Sequence, residues 1–111
     1  MEATDELATR IEAIAAAIPG IERHAVPEGT RYLLGGVEFA AISRGLASFR
    51  LRQDVAVAAL KTPGVAASDR GPGWVELVAR HLDQFTLDRA TSWFAAAARF
   101  AAEAEPGRRL H

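Results

Sequence analysis

Residues 31–52, RYLLGGVEFAAISRGLASFRLR, decide the fold. Three short apolar runs are separated by Gly35-Gly36 and by Ser43-Arg44-Gly45. A Gly-Gly pair between two such runs is a two-residue hairpin signal, because both central positions of a type I′ turn need positive φ. That turn sets Leu34 opposite Val37 and Tyr32 opposite Phe39. A three-residue loop at Ser43-Arg44-Gly45, with Gly45 left-handed, then sets Ile42 opposite Leu46 and Phe39 opposite Phe49. In the same register Val37 faces Leu51 and Glu38 faces Arg50. One face collects Tyr32, Leu34, Val37, Phe39, Ala41, Ala47, Phe49 and Leu51, an arrangement that a slip of one residue would scatter. The other collects Leu33, Glu38, Ala40, Ile42, Leu46, Ser48, Arg50 and Arg52.

Working outward, Leu7, Ile11, Ile14 and Ile18 recur at helical spacing, so an amphipathic helix is expected over residues 5–18, with Thr4 as its N-cap. Pro19-Gly20 stops it, and residues 21–30, with Pro27 and Gly29, read as a connector. Past the meander, Asp54 caps a short helix from Val55 to Lys61, ended by Thr62-Pro63-Gly64. Residues 65–73, VAASDRGPG, carry no periodicity and end in three breakers, so a loop is expected. A fourth strand, Trp74 to Arg80, alternates Val75, Leu77 and Ala79 against Trp74, Glu76, Val78 and Arg80. Thr86 caps a long final helix whose apolar stripe is Leu87, Ala90, Phe94, Ala97 and Ala101, widened by Trp93 and Phe100. The order αβββαβα predicts an α+β fold in one domain over residues 1–111: a four-stranded antiparallel sheet with the N- and C-terminal helices packed on one face.

A chain of 111 residues buries roughly 65% of its unfolded surface, enough for a core without staples. It has no cysteine, so disulfides, thiolate metal sites and cysteine nucleophiles are excluded. The opening MEATDELATR is acidic and has no apolar h-region, so no signal peptide is expected. The longest apolar stretch, Phe94 to Ala104, is interrupted by Arg99 and Glu103 and falls short of the ~20 residues a membrane span needs. These features predict a soluble, cytoplasmic protein. The net charge of −1 gives no global attraction to nucleic acid or to anionic membrane. Basic residues are almost all arginine, and this, with the abundant alanine, is what a GC-rich bacterial genome produces.

Several short motifs together resemble the MmcQ/YjbR-like family. They are Gly36-Val37-Glu38-Phe39-Ala40, the Arg50-bearing strand leading into a short helix, Thr62-Pro63-Gly64-Val65, Arg70-Gly71-Pro72-Gly73-Trp74-Val75-Glu76-Leu77, and a closing helix with Ser92-Trp93. The similarity spans residues 18–102. A related group labelled luciferase-like shares the Gly-Val-Glu-Phe and Gly-Trp-Val patterns, but its histidine-containing strand is missing here. The resemblance implies a compact α+β domain with an antiparallel sheet, and a DNA-binding label attached to the family by structural analogy. Many members carry a lysine near the end of the third strand, where this chain has Arg50 and Arg52.

Chemistry has few places to sit. His24, His81 and His111 lack metal-ligand spacing, so no metal is expected. No serine has a nucleophile-elbow setting, and Gly71-Pro72-Gly73 precedes a strand rather than a helix, which excludes a phosphate loop. Glu38 and Glu76 could form a carboxylate pair, but neighbouring arginines would hold both ionised rather than raise one pKa. The expectation is therefore a non-enzymatic binding module with no cofactor. Its candidate site is the second sheet face with its surroundings: Arg44, Arg50, Arg52, Lys61, Trp74 and Glu76. Tryptophan and arginine on an exposed face are typical of binding hot spots, so a protein partner or a second copy is the expected occupant. The alternative is DNA binding by arginines of strand and hairpin, opposed by the two carboxylates on the same face.

Overall fold

In a computed structural model, residues 3–43, 45–78 and 84–104 are described. The elements run α1 (Ala3–Ala17), β1 (Ile21–Val26), β2 (Gly29–Leu34), β3 (Val37–Ser43), β4 (Leu46–Arg50), α2 (Gln53–Ala59), β5 (Val65–Ala67), β6 (Trp74–Val78) and α3 (Gln84–Ala104). The α+β class is as expected, but the antiparallel sheet has six strands, not four, in the order β1-β2-β3-β4-β6-β5. Both additional strands lie at the edges. β1 occupies most of the stretch expected to be a connector, pairing from Ile21↔Leu34 to Val26↔Gly29. Its side chains are mostly exposed, so it carries no apolar alternation to betray it. β5 is three residues of the expected loop, held against β6.

The first turn is where the glycines put it: Leu34 pairs with Val37, and Gly35 and Gly36 have φ of 60° and 81°. The second differs. Ser43 pairs with Leu46, so Arg44-Gly45 is a two-residue connection rather than part of a three-residue loop. This moves the register by one, giving Ile42↔Ala47 and Ala40↔Phe49 in place of Ile42↔Leu46 and Phe39↔Phe49. Tyr32 likewise faces Ala40 rather than Phe39, because the register shifts between Tyr32 and Leu33 and leaves Phe39 as an extra residue. The bulge reverses the alternation midway along β3. Val37 and Phe39 stay on the core side as expected, while Ala40 and Ile42 join them and Ala41 leaves. The expected pairings Val37–Leu51 and Glu38–Arg50 do not occur.

One apolar cluster holds the layers together. α1 contributes Leu7, Ile11 and Ala15, α2 contributes Ala56 and Ala59, and α3 contributes Leu87, Ala90, Trp93, Phe94, Ala97 and Ala101. Phe94 sits at the centre, with ring centroids 5.1 Å from Tyr32, edge-on, and 5.2 Å from Phe39. Phe49 meets Trp93 at 6.3 Å. Aromatic pairs at these separations add to what their burial contributes. The expected helical stripe of α3 is thus the buried one, and only Phe100 is half-exposed.

Cap positions fare less well. Thr4 and Thr86 lie inside their helices. Asp54 is in the first turn of α2, whose N-cap position is Arg52 with no side-chain cap. The last two positions expected for the fourth strand, together with His81, fall outside the described residues. No helix among the described residues is long and apolar enough to cross a membrane.

Candidate functional site

Strand alternation sends a second set of side chains to the face away from the α1/α3 layer. One register row crosses all six strands as His24, Arg31, Ala41, Ser48, Glu76 and Ala66. Ala41 and Ser48 at its middle are buried. Both are small, and they are flanked in register by Arg31 and Glu76.

Glu38 is the electrostatic centre of this face. Arg31 donates from Nη2 to Glu38 Oε1, and Arg70, from the loop before β6, donates from Nη1 to Oε2 at 3.0 Å. The carboxylate is only 17% exposed and takes a guanidinium on each oxygen. Its pKa is held below the usual carboxylate value, first by the Arg31 hydrogen bond and against the opposing pull of burial. Arg31 is correspondingly raised by the same bond. Arg70 also lies over the Trp74 ring, its guanidinium carbon 5.1 Å from the centroid. The backbone supports this placement: Arg70 N–H donates to Ser68 Oγ at 3.2 Å, and Trp74 N–H donates to the Gly71 carbonyl at 3.2 Å. Arg31, Glu38, Arg70 and Trp74 thus form one connected layer over three strands and a loop.

The expected site residues divide around this layer. Trp74 and Glu76 are neighbours on β6, both half-buried. Arg50 pairs with Trp74 across the strands, yet its guanidinium carbon lies 4.8 Å over the Phe100 ring of α3, with Nη1 buried and without a hydrogen-bond partner among the described residues. It therefore joins the helix side. Arg52 is exposed beside Asp54 at 3.5 Å, and Lys61 is exposed beyond the end of α2. Arg44 falls outside the described residues. Among the described residues, the Arg50 guanidinium and Arg52 both border Phe100 of α3. Arg31 was absent from the expected set, and the Arg70–Glu38 pair was not foreseen. Arg31, two residues from Leu33, is the same-face diagonal neighbour of Glu38 as soon as the Gly35-Gly36 turn pairs Leu33 with Glu38, so the turn was the signal that could have found it.

A second polar cluster ties α1 to the sheet. The Tyr32 hydroxyl donates to Glu12 Oε2 at 2.6 Å, and Arg23 of β1 pairs with Oε1 of the same carboxylate. Burial, then the bond to Glu12, pushes the Tyr32 phenol well above its ordinary value. This cluster adds polar ties between α1 and the first two strands to the apolar packing of Leu7, Ile11 and Ala15. Among the described residues there is no group of histidines and carboxylates that could hold a metal ion.

No protein-family model matches this chain, and no curated protein or solved structure matches it. The assignment of a role rests on the face itself.

Proposed function

We propose that this protein is a non-enzymatic binding module of MmcQ/YjbR-like type, whose contact surface is the sheet face bearing Arg31, Glu38, Arg70 and Trp74. The supporting observation is Trp74, half-buried under Arg70, which is itself fixed by Glu38. An aromatic ring and a guanidinium held in place before contact lose little freedom on binding, which favours affinity. The order of charges, Arg31, Glu38, Arg70 and Glu76, alternates in sign, so a second copy turned about a two-fold axis supplies the complementary charges. That makes self-association the preferred reading over an unrelated partner.

The same alternation speaks against nucleic acid on this face. Glu38 engages both nearby arginines, and phosphate contact needs cations that are free and clustered. Acid–base catalysis finds no support in Glu38 either, since its pKa moves away from neutrality.

Sedimentation velocity over a wide concentration range tests the reading. The wild-type protein should associate with rising concentration, and Trp74→Ala should remain monomeric with an unchanged far-ultraviolet spectrum. A wild type that stays monomeric would remove self-association. If it also bound a labelled DNA duplex with an affinity falling steeply in salt, and Arg52→Glu/Lys61→Glu abolished that binding, the nucleic-acid reading would replace it.

A further inference from the structure

The apolar surface of α3 outlasts the helix that covers it. α3 has 21 residues and α1 has 15. The two run in the same direction: Arg10 of α1 pairs with Asp88 near the start of α3, whereas Ile18, just after α1, shares a cleft with Ala98 and Ala102. There Pro19-Gly20 turns the chain away into β1, with Gly20 at φ of 88°. α3 continues along the vacated side with Ala95, Ala98 and Ala102, spaced to share one face and too short to fill it. The cleft so formed has a volume of about 580 Å³, against about 250 and 220 Å³ for two others on the molecule. That is within the roughly 300–1,000 Å³ of small-molecule sites.

Its lining is chemically simple. Ile18, Leu34 and the three alanines form the walls, and Arg99, on the same helix, is the one charged residue among the lining residues. Arg99 is exposed and has no ion-pair partner among the described residues. The walls have no aromatic ring for a planar ligand to stack on. They also lack the several polar side chains that a sugar or nucleotide would need. A flexible aliphatic chain suits them, and a single guanidinium matches a single carboxylate, which it can bind through two parallel hydrogen bonds.

We propose that this cleft binds an aliphatic monocarboxylate, its chain lying along Ala95, Ala98 and Ala102 and its headgroup on Arg99. The site is on the helix side of the sheet, so it stands or falls separately from the Trp74 surface.

The test is a titration of the full chain with sodium decanoate, below its micelle-forming concentration, followed by amide and methyl NMR shifts. Decanol and decyltrimethylammonium serve as the neutral and cationic comparisons. Decanoate should give saturable shifts at Ile18, Leu34 and Ala98 and should bind more tightly than either comparison. Arg99→Gln should weaken decanoate by roughly three- to fivefold, as befits an exposed pair, and leave decanol unchanged. Ala95→Leu/Ala102→Leu fills two half-exposed positions and should weaken decanoate and decanol by roughly tenfold or more. The proposal is overturned by shifts that do not saturate, by decyltrimethylammonium binding as tightly as decanoate, or by a folded leucine variant with wild-type affinity. Should that variant not fold, the Arg99→Gln comparison decides: equal losses for decanoate and decanol, or none for either, refute the headgroup assignment.

Discussion

Replacing Glu38 by Gln removes one charge at the centre of the Arg31–Glu38–Arg70 layer and keeps the shape of the side chain. The carboxylate loses two charge-assisted hydrogen bonds, while Arg31 and Arg70 remain 48% and 36% exposed and recover hydration. Exposed pairs contribute about 0.2–1 kcal/mol each, so after solvent screening the substitution should cost about 1 kcal/mol at neutral pH. For a domain of this length that lowers Tm by about 4 °C. The sign of the pH dependence follows from the depressed pKa. A carboxyl group that ionises more readily in the folded than in the unfolded state adds stability above its ordinary value of 4.5, and that increment is lost as pH falls through the lower folded value. Urea denaturation of wild type and Glu38→Gln from pH 7 to pH 3 should therefore show two curves converging at the acid end. High salt should narrow the gap at pH 7. Trp74 emission should change in the variant, because Arg70 is freed from the carboxylate that holds it over the ring. A difference independent of pH would mean that shape or packing at position 38, not its charge, carries the effect, and the account of this face would fail.

Phe94→Ala, at a fully buried ring between Tyr32 and Phe39, should cost about 3–5 kcal/mol, leaving a chain close to unfolding in a urea titration. Tyr32→Phe should cost about 1 kcal/mol by deleting the bond to Glu12. Because the folded phenol titrates above its ordinary 10.0, Tyr32 adds stability that is fully present below that pH and is lost as pH rises beyond it. The wild type should lose stability in alkali more steeply than Tyr32→Phe, and the one tyrosine makes the ultraviolet titration unambiguous. Two glycines should separate sharply in thermal melts. A Cβ at Gly29 would stand 1.9 Å from the Ile42 carbonyl oxygen, so Gly29→Ala should disrupt the β2–β3 pairing, at a cost above about 2 kcal/mol. Gly36 has open space and positive φ, so Gly36→Ala should cost only the left-handed penalty of about 1–2 kcal/mol.

The parts of this fold that could be read from sequence are those where one residue type admits one conformation. Gly35-Gly36 has no alternative use between two apolar runs, and its hairpin is where it was expected. The stripe of α3 follows from a period of 3.6 sustained over about four turns. Ser43-Arg44-Gly45 was ambiguous because Gly45 can close either a two- or a three-residue connection, and that choice shifts every partner by one. The expected core nevertheless survived on β4 and just past it, where Ala47, Phe49 and Leu51 are all buried. The bulge at Phe39 explains why: it restores parity on the first half of β3 after the second turn has broken it. An extra residue inside a strand leaves no compositional trace when its neighbours are also apolar, as Ala40 and Ala41 are. The candidate site inherits the register error. Glu38 was assigned to Arg50 across a register that does not form, whereas the Gly35-Gly36 turn and the fold of the 68–73 loop deliver it to Arg31 and Arg70. Edge strands were lost for a different reason, since β1 is exposed on most of its residues and β5 is three residues long, and neither needs an apolar pattern to pair. What sequence carries most weakly here is the neighbourhood of charges, because a guanidinium reaches far enough for its partner to be chosen by register and loop path rather than by spacing along the chain. In the Arg31–Glu38–Arg70–Trp74 layer the turn-set register brings Arg31 to Glu38, while the path of the 68–73 loop brings Arg70 over Trp74 and onto the same carboxylate.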